Sequence, residues 1–239
     1  MREHFPEIQF THALSDAEAV AAIETADVAL ASRLSQAMVE RAPRLRWVHS
    51  TAAAVANLLP LGQFTARGIL VTNSRGIQAV PIAEHVMGGL LVLARRFNLM
   101  LEAQRERRWI QTELTGDAWP WSLYGKKMVV LGLGTIGQEV ARRAHAFGMR
   151  VIGVRRRADQ AAPPFVDGVV GPDRLNEVLK GADVVVISAP FTPETDRLIR
   201  AEQIALLNKG AIIINVARGK IVDESALLEA LGNLSLIHI

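Results

Sequence analysis

The hydrophobic positions of this chain follow two alternating periods. Short apolar runs (Val28-Ala29-Leu30, Leu45-Arg46-Trp47-Val48, Ile69-Leu70-Val71, Met128 to Leu131, Val151 to Val154, Asp167 to Val170, Val184 to Ser188 and Ala211 to Asn215) read as strands. Between them lie stretches whose apolar residues recur at helical spacing, and an earlier strand is expected at Ile8-Gln9-Phe10. Ser15 with Glu18 three residues on forms a capping box for a helix to about Glu24, and further helical stretches run from Ser35 to Ala42 and from Ala52 to Leu59. Pro81 suits the first turn of a long helix carrying Ile82, Val86, Leu90, Leu93 and Phe97 and reaching Arg108. Trp109 to Tyr124 lacks a period and reads as a loop. Later helices are predicted from Pro172 to Lys180, from Pro193 to Leu207, and from an Asp223 cap through Leu231. Strands that alternate with helices predict an α/β protein with parallel sheets. The divisions expected are residues 1–80 as a first α/β domain, 81–108 as a connecting helix and 109–233 as a second α/β domain.

Met128 to Leu131 leads directly into Gly132-Leu133-Gly134-Thr135-Ile136-Gly137, then a helix, then Val151 to Val154. A G-x-G-x-x-G run is weak by itself, but between a strand and a helix, with a second strand following, it is a dinucleotide-binding fingerprint. Gly132 allows the tight turn, Gly134 lets a pyrophosphate approach the backbone, and Gly137 lets the helix pack closely, while N–H groups around Thr135 and Ile136 face the anion. In the helix, Ile136, Val140, Ala144 and Phe147 form the apolar face, with Glu139, Arg142, Arg143 and His145 off it. Where an NAD site usually carries an acidic residue for the ribose 2′-hydroxyl, this sequence has Arg155, Arg156 and Arg157. Guanidinium forks there can bind a 2′-phosphate, so NADP(H) is favoured, with NAD(H) possible.

Composition adds exclusions. The 239 residues contain no cysteine, which rules out disulfides, thiol nucleophiles and cysteine metal sites and fits a reducing, cytoplasmic setting; no metal site is expected. The N-terminus has no apolar signal core, and the longest apolar run, Val86 to Ala94, is too short to span a bilayer. A formal charge of +3 comes from arginines scattered among glutamates with few aromatics, which is not a nucleic-acid-binding pattern.

Further segments complete a larger pattern: Thr72-Asn73-Ser74-Arg75-Gly76 followed by Ile82-Ala83-Glu84-His85; Pro190-Phe191-Thr192-Pro193-Glu194-Thr195; and Asn215-Val216-Ala217-Arg218-Gly219 followed by Asp223-Glu224. Together with the glycine motif they resemble the D-isomer-specific 2-hydroxyacid dehydrogenases. The arginine cluster and Trp47 to Ala54 resemble the NADPH-preferring glyoxylate/hydroxypyruvate reductase branch. The resemblance implies two domains, a Rossmann-type doubly wound parallel sheet and a smaller flavodoxin-like α/β substrate domain, both incomplete here, with a small 2-oxoacid bound in the cleft between them. It implies hydride transfer between NAD(P)H and a 2-oxoacid or D-2-hydroxy acid, and a homodimer for the full-length parent. Arg218 would bind the substrate carboxylate and polarise its carbonyl, for which a bidentate fork just past a strand end is suited. The backbone amides near Ala53 and Ala54 would hold the same carboxylate, and Pro190 and Thr192 would lie along the cofactor. His85, next to Glu84 on a helix, does not face it and is read as structural; His49 lies near the substrate loop, and His145 is read as exposed.

The family's proton-donating histidine and its orienting glutamate follow the NVARG segment, beyond the helix ending near Leu231. They are not found in the sequence given, and His238 does not match that continuation. Residues 234–239, Leu-Ser-Leu-Ile-His-Ile, are also what CTG TCT CTT ATA CAC ATC would encode, which resembles a transposon-library adapter. The expectation is therefore a fragment with a non-native tail, inactive as a reductase and marginally stable. The alternative from another class is a non-catalytic dinucleotide-binding sensor or corepressor-like protein of the same fold; Arg218 favours the enzyme, and a formate or phosphite dehydrogenase is a rival within the fold.

Overall fold

The structure is a computed structural model, and it describes residues 3–51, 61–233 and 236–238. It divides into two compact units, residues 1–78 and 79–239.

In the first unit, helix α1 (Asp16–Ile23) opens on Ser15, whose hydroxyl accepts the Glu18 N–H, while the Glu18 carboxylate reaches back to the Leu14 N–H at 2.7 Å. The box therefore closes one residue earlier than the standard form, on Leu14. Strand β1 (Val28–Leu30), helix α2 (Gln36–Glu40, capped by the Ser35 hydroxyl), strand β2 (Trp47–Ser50), helix α3 (Leu61–Ala66) and strand β3 (Leu70–Asn73) follow. The strands pair in parallel in the order β1-β2-β3. Val48, Ile69 and Phe64 pack with Ile23, Met38 and Val39 to make one core. Three expectations need correction. Ile8 to Phe10 is not a strand, since the Ile8 N–H closes a turn on the Phe5 carbonyl and Ile8 stays half exposed. The strand expected at Leu45–Val48 begins at Trp47, because the Leu45 N–H is bonded to the Ala42 carbonyl in the turn that follows α2. The third strand begins at Leu70 and runs to Asn73 rather than from Ile69 to Val71. The expected helix from Ala52 to Leu59 lies outside the described residues.

The second unit opens with α4 (Ala79–Ala94), with Pro81 in its first turn. The continuous helix expected to reach Arg108 is instead two. Arg96 adopts a left-handed conformation (φ 58°), and α5 runs from Phe97 to Arg105. Neither glycine nor proline marks the break. The loop after α5 returns to it, and Trp121 donates its N–H to the Ala94 carbonyl at 2.9 Å, ending α4 from outside. The alternation then proceeds: β4 (Lys127–Leu131), α6 (Thr135–Ala146), β5 (Arg150–Val154), β6 (Gly168–Val170), α7 (Leu175–Leu179), β7 (Val184–Ile187), α8 (Ala201–Ile204), β8 (Ala211–Asn215), α9 (Glu224–Gly232) and β9 (Leu236–His238). All are parallel, in the order β6-β5-β4-β7-β8-β9. Numbered within this sheet that is 3-2-1-4-5-6, the Rossmann order.

Alternate strand residues serve opposite faces. Met128, Val130, Val184, Val186, Ile212 and Ile214 pack under α4 and α6; Val129, Leu131, Val185, Ile187 and Ile213 pack against α7, α8 and α9. Burial on both faces explains why these strands read as unbroken apolar runs. Of the expected apolar face of α6, Val140 and Ala144 are fully buried, but Phe147 at the C-cap is 44% exposed. The helix expected over Pro193–Leu207 is also corrected. Arg197 is left-handed (φ 47°), and Ile199, 1% exposed, bridges Val222 as a strand would, so the stretch holds a 3-10 turn at Pro193–Thr195 and an α-helix over Ala201–Ile204 alone. Burying Ile199 against that edge requires extended backbone, which helical spacing in the sequence does not reveal.

Candidate functional site in the nucleotide-binding unit

The strand ends set the site. Val154, Leu131, Ile187 and Asn215 are paired across the sheet in one row. The next residues, Arg155, Gly132, Ser188 and Val216, thus leave the sheet side by side at its carboxyl edge. β4 and β7 are neighbours although β5 and β6 intervene in sequence, so the row is centred on the topological switch point where open α/β sheets bind ligands.

The glycine turn is built by sterics. Gly132 sits at φ 94°, its N–H bonded to the Val154 carbonyl at 2.9 Å, and a Cβ there would lie 2.7 Å from the Ala189 backbone. A Cβ on Gly137 would stand 1.9 Å from the Gly132 carbonyl oxygen, so the third glycine is required by the turn itself as well as by the sheet. Gly134 is the N-cap of α6 in extended conformation, and the first turn carries no acidic residue. Gly134 and Thr135 are exposed and Ile136 half-buried. This is an open, donor-rich helix start suited to a pyrophosphate, and the residues present fit a dinucleotide.

Some contributors carry no motif. Ser188 donates to the Gly132 carbonyl at 2.7 Å, and Gln138 Nε2 donates to the Leu133 carbonyl at 3.1 Å. Leu133 is buried against Gly153, where a Cβ would meet its Cδ1 at 2.1 Å. The one available signal was Gly153 inside an otherwise β-branched strand, which marks a close approach.

The arginine cluster separates into different roles. Arg155 Nη2 donates to the Ala161 carbonyl at 3.0 Å and also to the Gln160 carbonyl, so its fork is turned onto its own loop. Arg156 and Arg157 are exposed. Across the edge, Thr192 and Thr195 form a capping box at Pro193–Thr195, and Thr195 Oγ1 donates to the Pro190 carbonyl at 2.9 Å, fixing the Pro190–Thr192 loop. The Glu194 carboxyl in this loop is held below the usual glutamate range, chiefly by the Thr192 hydroxyl, then by its own backbone N–H, with the Arg156 charge adding to it. Arg156 is thus within electrostatic reach of the Pro190–Thr195 loop.

Arg218 follows β8 in a turn organised by Asn215, whose Oδ1 accepts the Ala217 N–H (3.0 Å) and whose Nδ2 donates to the Arg218 carbonyl (2.9 Å). Its side chain is exposed, with Nη1 donating to the Ala217 carbonyl at 2.8 Å. The residues of the glycine turn, the arginine loop, Pro190, Thr192 and Arg218 are therefore all on loops from the same sheet edge. Ala53 and Ala54 lie outside the described residues.

His85 is exposed on α4, and its neighbour Glu84 pairs with Arg143 of α6 at 3.6 Å. His145 is exposed. In the first unit, His49 lies between Thr72 (Nδ1 to Oγ1, 2.8 Å) and Ser74 (Nε2 to Oγ, 3.1 Å), beside Trp47, whose Nε1 also donates to Thr72. Among the described residues no helix is long and apolar enough to cross a membrane.

The fold and the turn define an α/β dinucleotide-binding protein of the doubly wound class. Residues 87–238 match the family described as D-isomer specific 2-hydroxyacid dehydrogenase, NAD binding domain. The chain belongs to that family. It is 35% identical over 235 residues to D-3-phosphoglycerate dehydrogenase of Methanocaldococcus jannaschii (96% of this chain, 43% of the relative). It is 36% identical over 208 residues to glyoxylate reductase of Pyrococcus furiosus (84% of this chain, 60% of the relative). Among solved structures, a D-isomer specific 2-hydroxyacid dehydrogenase family protein from Aeromonas salmonicida superposes with a TM-score of 0.84 at 32% identity, covering 99% of this chain and 74% of that one. The chain thus spans about half of the curated relatives' length.

Proposed function

We propose that this chain is part of a reductase for small 2-oxoacids of the glyoxylate or hydroxypyruvate kind, using NADP(H) in preference to NAD(H). The observation that carries the reading is the row Val154, Leu131, Ile187, Asn215, which sends the glycine turn, the arginine loop and Arg218 off one edge of one sheet. A bound nicotinamide supplies the hydride. This chain's residues hold the cofactor's phosphates on the α6 start, bind the 2′-phosphate through Arg156, keep the adenosine side against the Pro190–Thr192 loop, and take the substrate carboxylate on the Arg218 fork.

Arg156, rather than Arg155, is the principal 2′-phosphate ligand in this reading, because the Arg155 fork already serves the Gln160 and Ala161 carbonyls. The supporting residue pattern is the absence of any carboxylate at 155–157 that would repel a 2′-phosphate. The parent protein acts as a homodimer in the cytoplasm. The 239 residues by themselves bind dinucleotide.

The test is a fluorescence titration of the 239-residue chain with NADPH and NADH. We expect NADPH to bind about a hundredfold tighter, from roughly two charge-assisted hydrogen bonds, and Arg156→Gln to remove most of that difference. Equal affinities in the wild type, or a preference for NADH, would refute the NADP(H) assignment; no binding of either would refute the dinucleotide site.

A further inference from the structure

The carbonyls of the glycine turn are all occupied, and two of them by side chains outside the glycine spacing. The Gly132 carbonyl accepts from Ser188 Oγ at 2.7 Å, the Leu133 carbonyl from Gln138 Nε2 at 3.1 Å, and the Gly134 carbonyl from the Gln138 N–H at 2.9 Å within the start of α6. In a trans peptide the C=O of one residue and the N–H of the next point in opposite directions. Holding those three oxygens therefore fixes the directions of the Leu133, Gly134 and Thr135 N–H groups. Ser188 is itself fixed: its N–H continues the β4–β7 ladder on the Leu131 carbonyl at 2.9 Å, and its hydroxyl occupies the space a Gly137 Cβ would enter, 2.8 Å from that position. The hydroxyl has one hydrogen, and the longer approach to the Leu131 carbonyl, 3.3 Å, leaves Gly132 as its main acceptor.

We propose that Ser188 and Gln138 are positioning residues of the dinucleotide site, clamping the carbonyls of the glycine turn so that its N–H groups are preset toward the pyrophosphate. The inference rests on the reading of this turn as the pyrophosphate site. Without the clamp the turn has the same glycines, but its peptide planes can rotate, and an anion must then order them on binding. Ser188 comes from the strand across the switch point, so the clamp also ties the turn to β7, and Gln138 supplies its donor from the exposed side of α6.

The experiment compares ADP-ribose, which has the pyrophosphate, with adenosine, which lacks it, both by displacement of NADH from the full 239-residue chain. Ser188→Ala and Gln138→Met each remove one donor while keeping most of the side-chain volume, and Gln138→Met, on an exposed helix position, is the variant that folds if Ser188→Ala does not. Each is expected to weaken ADP-ribose about five- to tenfold, the scale of one hydrogen bond, and to leave adenosine within about twofold. Unchanged ADP-ribose affinity in both variants, or equal losses for the two ligands, overturns the proposal while leaving the site assignment standing. A wild-type chain that binds adenosine but gains nothing from the pyrophosphate overturns the site assignment and the clamp with it.

Discussion

At the scale of single residues, chemistry was readable where sterics leave one choice. Gly132 and Gly137 are glycines because a Cβ would stand 2.7 Å from the Ala189 backbone or 1.9 Å from the Gly132 oxygen. Gly137→Ala is accordingly expected to cost more than the usual overpacking penalty of about 1–3 kcal/mol, since the obstructing atom is backbone, and to abolish NADH binding. Denaturant melts and NADH fluorescence check both, and retained binding in a folded variant would show that the turn is looser than its contacts imply. Ser188 and Gln138 were not legible, because a serine after a strand or a glutamine on an exposed helix position has no distinctive neighbour in sequence. Their partners are carbonyls, which every residue has. The arginine cluster was legible as charge only; that Arg155 folds onto its own loop depends on the Gln160 and Ala161 carbonyls, which no side-chain pattern announces.

At the scale of elements, strands buried on both faces were the most legible, β8 (Ala211–Asn215) to the residue, and helices ended by distant contacts the least. α4 stops at Ala94 because Trp121 takes its carbonyl, and the Pro193–Leu207 stretch divides because Ile199 is drawn into a bridge with Val222. α6 shows how an element is tied to its neighbour. Glu139 pairs with Arg142 and Arg143 on its own helix, and Arg143 reaches Glu84 of α4 at 3.6 Å. The Glu139 carboxyl is held below its ordinary range, first by Arg143 and then by Arg142. A carboxylate with a depressed folded pKa stabilises above its unfolded value and loses that contribution as pH falls through the folded one. Glu139→Gln is therefore expected to lower the melting temperature slightly at neutral pH, with the difference closing as pH is brought below the ordinary glutamate value of about 4.3. A difference that persists undiminished in acid would mean the side chain acts through packing instead.

At the scale of the whole molecule, two parallel sheets with separate cores share one chain, and every described element of the proposed dinucleotide site lies in residues 79–239. The alternation of periods made both sheets readable, and the whole of α4 lies in the second unit because its buried face, from Ala83 to Ala94, packs in the core shared with α6. A ligand at a hundred times its dissociation constant stabilises the state that binds it by about 2.7 kcal/mol, and the protection is confined to the cooperative unit that contains the site. Saturating ADP-ribose should slow amide exchange in β4, α6 and β7 by up to about a hundredfold and leave β1, β2 and β3 unchanged. Protection reaching β1 to β3 would show that the first unit responds to the cofactor as part of the same cooperative structure; protection absent from β4 and α6 would place the nucleotide somewhere other than the glycine turn.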